Sequence, residues 1–302
     1  MIETYELIPH LKIEEESDSA LCLGFFDGLH VGHRKLIQEA LSEHSRVSVL
    51  TFTGPLKALT HQHAEDAVLT PLKEKEELLD EMGVKRLFVL PFNETIRDMD
   101  PVRFIEDYLL PLKIRNIYIG MDFRFGKEAK GDSALLKKYF NVTIVPFAMI
   151  DPTHKVSTTT IISLLKEGKV GEANRLLGRT YRLEGKVVKG LHNGTSIGFP
   201  TANISAPENV VVPKNGVYAT KVLFRNRMYL SMTNIGTHPT IDPLNRPVIE
   251  TNLFDYEGNL YDDEIYLYFL SYLREETKFD SLEELKNQLR KDEKYVREHY
   301  SV

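Results

Sequence analysis

An open, doubly wound parallel α/β sheet followed by a small antiparallel β-barrel with a terminal helix is the fold this sequence predicts. Three observations point to it. In the first half, short β-branched or apolar runs alternate with helical patterns about every 30 residues, the length of one strand–helix–strand unit. After Lys155 the pattern passes through two helical stretches into long segments of period two separated by turn residues. The chain closes on Ser281-Leu282-Glu283-Glu284, a capping-box pattern that opens a last helix running toward Tyr300.

The strands expected in the first half are 21–26, 46–52, 85–92, 115–121 and 141–147. Near-continuous apolar runs such as Leu87-Phe88-Val89-Leu90 suit a sheet covered on both faces, and right-handed crossovers then give the doubly wound form. Helices are expected over 33–44, where Leu36, Ile37, Ala40 and Leu41 share a face, and over 71–82, which opens on Pro71. Helical pattern returns at 161–166 and 170–177. In the second half, 217–224 is expected to pair with 228–232 across Arg225-Asn226-Arg227. Likewise 248–255 is expected to pair with 264–272 across a loop containing Glu257-Gly258-Asn259. The change of period alone places a domain boundary near residue 180, giving 1–180 and 181–302.

Composition narrows the functional classes. The chain of 302 residues is 42% hydrophobic and 27% charged, with no apolar run near the roughly 18 residues a membrane helix needs. Its start, Met1-Ile2-Glu3-Thr4-Tyr5-Glu6, lacks the basic and apolar regions of a secretion signal, and a cytoplasmic protein is expected. A net charge of −6 argues against nucleic-acid or membrane-surface binding, which needs clustered Lys and Arg. Cys22 stands alone in an apolar strand and reads as a core thiol, and His61-Gln62-His63 reads as a solvated loop.

The first chemical feature is Gly24-Phe25-Phe26-Asp27-Gly28-Leu29-His30-Val31-Gly32-His33, where the first predicted strand gives way to a helix. Gly24 and Gly28 let backbone approach an anion, a helix start offers unpaired N–H groups, and His30 and His33 can converge on one charge. Asp27 reads equally as a turn or cap residue and as a group near metal or nucleotide. A second feature is Gly120-Met121-Asp122-Phe123-Arg124-Phe125-Gly126 with Gly131-Asp132, whose aromatics read as core or as a wall for a planar ring. A third, Gly198-Phe199-Pro200-Thr201-Ala202-Asn203, puts the oxygens of Thr201 and Asn203 on one side of an extended segment, as hard Mg²⁺ prefers beside nucleotide phosphates.

The first element resembles the HxGH signature of nucleotidylyltransferases. Together these features resemble the bacterial bifunctional riboflavin kinase/FMN adenylyltransferase family, whose first module carries a similar GxDFRFGxxxxGD stretch. The likeness extends to Asn234-Ile235-Gly236-Thr237-His238-Pro239-Thr240, to Val248-Ile249-Glu250-Thr251-Asn252-Leu253 and to Leu273-Arg274-Glu275-Glu276-Thr277-Lys278-Phe279.

The resemblance implies an adenylyltransferase-like domain over 1–180 and a riboflavin kinase domain over 181–302, acting on ATP and flavins with Mg²⁺. It implies His30, His33 and Glu250 as catalytic groups, Glu250 taking the riboflavin 5′-hydroxyl proton. It assigns Gly24, Phe26, Asp27, Gly28, Ser157, Thr158, Thr159, Gly190, Gly198 and Pro200 to ATP and its phosphates. Asp122, Phe123, Arg124, Phe125 and Arg274 fall to flavin or nucleotide, and Thr201 with Asn203 to the metal. A monomer or weak homo-oligomer is expected.

This chain departs from the family at several positions. Gly54-Pro55-Leu56 replaces a Pro-His-Pro turn, Ile162 stands where an arginine grips the outer phosphates, and Asn193 and His238 stand where arginines are common. A kinase with weak or no adenylyl transfer, a flavin-binding regulator without turnover and a nucleotidylyltransferase with another acceptor are the competing readings.

Overall fold

The computed structural model describes residues 1–13, 18–54, 67–189, 198–237 and 247–302. Two compact units divide the chain, Met1–Thr158 and Thr159–Val302. The helices before residue 180 therefore go with the second unit. Their helical period continues that of the first half, so the sequence marks a change only where period two begins.

The first unit holds β1 (Glu3–Glu6), β2 (Ser19–Leu23), β3 (Arg46–Thr53), β4 (Arg86–Pro91), β5 (Asn116–Gly120) and β6 (Asn141–Val145). They form one parallel sheet in the order β1-β4-β3-β2-β5-β6. The chain winds outward from β2 through β3 to β4, then returns to lay β5 on the other side of β2. That reversal opens a crevice at the carboxyl ends of β2 and β5, where ligands bind in such sheets.

Helices α1 (Val31–Glu43), α2 (Leu72–Glu81), α3 (Glu94–Arg97), α4 (Pro101–Phe104) and α5 (Ser133–Leu136) connect the strands. Strand alternation sorts the core into two faces. Ala20, Cys22, Val47, Val49, Leu87 and Val89 pack with Leu36, Ile37 and Ala40 of α1 and with Leu78 and Leu79 of α2. Leu21, Leu23, Leu50, Phe88, Leu90, Ile117 and Ile119 pack with Phe104, Ile105, Leu109 and Leu112. Cys22 is the core thiol expected, fully buried, and burial pushes its pKa up.

The second unit starts within α6 (Thr158–Lys166), whose first residue belongs to the first unit, and continues with α7 (Val170–Leu177). Strands β7 (Arg182–Val188), β8 (Ala202–Ser205), β9 (Gly216–Phe224), β10 (Arg227–Thr237), β11 (Pro247–Leu253) and β12 (Glu264–Arg274) close a barrel in the order β10-β11-β8-β7-β12-β9. The β9–β10 hairpin forms as expected, on a tight turn with both Arg225 and Asn226 at positive φ. The expected pairing of β11 with β12 does not form: β11 lies between β10 and β8, and β12 lies between β7 and β9. Ten residues separate them, a crossing rather than a hairpin turn.

Inside the barrel, Ser231, Thr220, Thr233 and Thr251 form a buried hydroxyl chain with spacings of 2.7, 2.8 and 2.9 Å. Thr233 donates to Thr251, which donates on to the Met232 carbonyl, so the chain ends on backbone. The outer-facing Val217, Ala219, Leu230 and Met232 pack with Val296 of the terminal helix α8 (Leu282–His299). Ser281 caps that helix by accepting the Glu284 N–H, and the Glu284 carboxylate reaches back to the Asp280 N–H.

Candidate active sites

In the first unit, both predicted loops flank the crevice between β2 and β5. Gly24 to His33 leaves β2 and Asp122 to Gly126 leaves β5. Phe26, at φ 51°, and Gly28, at φ 82°, turn the chain sharply into α1. A Cβ at Gly24 would stand 3.1 Å from the Phe26 ring, which folds back beneath it. Phe26, expected at the nucleotide, is instead core, with only its backbone left for a ligand. An aromatic ring is the filler this turn needs beneath the strand end.

His30 is the N-cap of α1: its Nδ1 accepts the His33 N–H at 3.3 Å. That bond keeps Nδ1 unprotonated, so a neutral His30 carries its proton on Nε2 as a donor. The His30 and His33 rings stack with centroids 3.6 Å apart. Burial, with the charge of Lys155, lowers the His30 pKa to about 4. Burial, with His30 and Lys75, lowers that of His33 well below the ordinary 6.5. Both are therefore neutral at pH 7 in the protein without ligand and act as hydrogen-bond donors.

This has a consequence for stability. The unfolded chain protonates His30 below about pH 6.5, while the folded chain refuses that proton down to about pH 4. The contribution is fully present above pH 6.5 and is lost as pH falls toward 4, reaching about 3 kcal/mol in all, with His33 acting in the same direction. The urea midpoint is expected to fall between pH 7 and pH 5, and to fall less in His30→Asn. An equal pH dependence in both proteins would contradict the assignment.

The Asp27 carboxylate accepts the N–H groups of Leu69 and Thr70, each at 3.0 Å, immediately before α2. The turn reading of Asp27 thus has a specific partner. Thr158 donates its hydroxyl to the Asp27 carbonyl at 3.0 Å, with Ser157 partly buried beside it. Thr159 and Ile162 lie on α6 in the second unit.

After β5, Asp122 is ion-paired with Lys155, whose ammonium lies 4.3 Å from the Phe147 ring centroid. Arg124 is exposed, 3.8 Å from Asp132. Phe125 is buried against Phe104, and the half-buried Phe123 packs on it. An aromatic surface exists elsewhere. Phe25, Phe52 and Phe92 meet at the carboxyl ends of β2, β3 and β4, with centroids 4.8, 5.9 and 6.4 Å apart and Phe25 43% exposed. Each merely ends an apolar run in the sequence, so the strand order was needed to find them.

In the second unit, Asn203, Glu250 and Asn234 are direct cross-strand partners on β8, β11 and β10. The row continues through Val217 to Arg274. Opposed residues share a face, so this row lies on the barrel's outer surface with Val217. Asn252, two residues beyond Glu250 on the same face, donates to the Pro200 carbonyl at 2.7 Å and fixes the turn that carries Thr201. Gly198 sits at φ 82°, exposed beside that turn. Thr201 and Asn203 are partly buried oxygen ligands two residues apart, with Asn203 directly opposite Glu250, which suits a Mg²⁺ ion delivered on nucleotide phosphates.

Arg274 is held through Nε and Nη2 on the buried Asp292 of α8, at 2.9 and 2.8 Å. Gln288 donates to the other Asp292 oxygen. A groove of about 430 Å³ lies alongside, lined by Tyr272, Arg274, Gln288, Lys291 and Tyr295. The anchoring pair Asp292 and Gln288 carries no motif and was not legible in the sequence. Pro55, Leu56, His61, His63, Gly190, Asn193 and His238 lie outside the described residues.

The family model for FAD synthetase matches residues 12–161, and that for riboflavin kinase matches 177–300. The bifunctional riboflavin kinase/FMN adenylyltransferase of Bacillus subtilis is 33% identical over 303 residues, covering 97% of this chain and 96% of that protein. The chain belongs to the bifunctional riboflavin kinase/FMN adenylyltransferase family. The Escherichia coli K12 member is 34% identical over 98% of this chain and 97% of its own length. A solved structure from Streptococcus pneumoniae, described as a macrolide-efflux protein, superposes with a TM-score of 0.90 at 31% identity, covering 99% of this chain and all of that one. Among the described residues of the present family member, no helix is long and apolar enough to cross a membrane.

Proposed function

We propose that the second unit phosphorylates riboflavin with ATP and the first unit adenylylates FMN to FAD. The observation that carries this reading is the outer-face row of the barrel, which sets Glu250 directly beside Asn203. In the kinase reaction, Glu250 takes the proton of the riboflavin 5′-hydroxyl. That oxygen attacks the γ-phosphorus of ATP, the bond to the β,γ-bridging oxygen breaks, and ADP leaves. Thr201 and Asn203 would hold a nucleotide-borne Mg²⁺, which neutralises phosphate charge when bound. The groove beside Arg274 takes the flavin, with Asp292 fixing the guanidinium.

In the first unit, an FMN phosphate oxygen attacks the α-phosphorus of ATP and the bond to the α,β-bridging oxygen breaks. Pyrophosphate leaves with the electron pair. His30 Nε2–H and His33 donate to the oxygens on which charge develops. Lys155 supplies positive charge to a site whose sequence has isoleucine at position 162, and its charge is felt at His30. The flavin ring lies on Phe25, Phe52 and Phe92. Incubation with FMN, ATP and Mg²⁺ tests this half: one pyrophosphate per FAD is expected, and ATP turnover without FAD would mean another acceptor.

A further inference from the structure

Lysines on a helix normally keep their ammonium in water, yet Lys75 on α2 is only 5% exposed. Its ammonium donates to the Phe25 carbonyl and to the Thr51 hydroxyl, each at 2.9 Å. Thr51 donates in turn to the same carbonyl at 2.7 Å. Three elements thus meet on one buried cation: the exit of β2, the end of β3 and helix α2. The tie is reciprocal. While Lys75 reaches from α2 to the turn, Asp27 reaches from the turn to the N–H groups of Leu69 and Thr70 at the approach to α2.

A methionine of similar length would avoid the cost of burying an ammonium, yet the buried ammonium here faces the Phe25 carbonyl, the Thr51 hydroxyl, Asp27 and His33. What the charge supplies is a fixed donor at the carbonyl just before a turn with three positive-φ residues, Phe26, Gly28 and Leu29. That turn sets where His30 begins α1 and hence where both imidazoles point.

We propose that Lys75 is a positioning residue for adenylyl transfer, holding the Phe25–Gly28 turn against α2 and β3 so that His30 and His33 are presented to the triphosphate. Its charge also bears on His33 and disfavours the protonated imidazole, while burial, partly offset by Asp27, lowers the ammonium's own pKa to about 8. The other charged groups facing this pair are Asp27 beside Lys75, His30 stacked on His33, and Lys155 acting on His30.

The test is Lys75→Met in the full chain, with riboflavin phosphorylation by the second unit as the internal control for folding. FAD formation from FMN is expected to lose about tenfold or more in kcat, because a small displacement of reacting groups is that costly, with KM for ATP changed less than about threefold. Without the cation His33 takes a proton more readily, so the acid-side fall in rate should begin at higher pH than in the parent. A purely structural lysine would lower the melting temperature and leave both kcat and the acid limb of the folded enzyme in place, and that result overturns the inference. Should Lys75→Met not fold, Thr51→Val removes one acceptor and keeps the cation: reduced kcat with the kinase rate intact supports the tie, and parental kcat overturns it. The inference rests on His30 and His33 as the transfer groups. The two claims separate, since parental FAD formation by His30→Asn would remove that reading, whereas parental FAD formation by Lys75→Met removes only the role of Lys75.

Discussion

Glu250→Gln is expected to reduce riboflavin phosphorylation by about a thousandfold while FAD formation from added FMN continues at the parental rate. Glutamine keeps the shape of the side chain and cannot accept the 5′-hydroxyl proton, and a positioned base contributes about 10²–10⁴ to such a step. Fold disruption is not a competing explanation. Glu250 faces outward on β11, and the interior contacts of that strand run through Ile249 and Thr251. Steady-state rates with riboflavin as substrate, read beside rates with FMN, check both halves of the expectation in one protein. A Glu250→Gln enzyme that makes FMN at the parental rate would place the base elsewhere.

The second large effect is expected in His30→Asn. Asparagine is among the best N-cap residues, so the start of α1 survives, whereas the imidazole Nε2–H is lost. One donor aimed at developing phosphate charge accounts for about 10²–10³ in kcat, and FAD formation should fall by that factor with FMN formation from riboflavin unchanged. Alanine at the same position would remove cap and donor together, adding about 1 kcal/mol of helix destabilisation that blurs the result. Parallel assays of the two products, with the melting temperature of each variant, distinguish catalytic loss from unfolding.

Much of the fold was legible because the signals were local. Period-two runs at 217–224 and 228–232 flank a tight turn, and the β9–β10 hairpin formed there. Five parallel strands were announced by apolar runs at a regular spacing. The sixth, β1, has only Tyr5 as a large hydrophobic among charged and hydroxyl residues, and its place at the sheet edge beside β4 needs no more. Helix α4 was missed although Asp100 and Pro101 spell a cap and a first-turn proline, and Asp100 does accept the Val102 N–H. The β11–β12 pairing failed because closure of a barrel is a nonlocal outcome that neighbouring sequence cannot report.

For the sites, motif spacing singled out His30, His33 and Asn203, and Glu250 came only from the resemblance; neither could say which side chains face a ligand. Phe26 and Phe125 went to the core, and Arg274 went to Asp292. Lys75 was invisible for the opposite reason. A lysine in an amphipathic helix reads as solvated, and its partners, a strand-end carbonyl and a hydroxyl, are gathered only by the fold.

The most direct measurement is the time course of flavins formed by the unaltered chain from riboflavin, ATP and Mg²⁺, resolved by chromatography. FMN should appear first and FAD should follow at its expense. FMN that accumulates without FAD would contradict the adenylyl-transfer role of His30 and His33, and riboflavin left unchanged would contradict the kinase site built on Glu250.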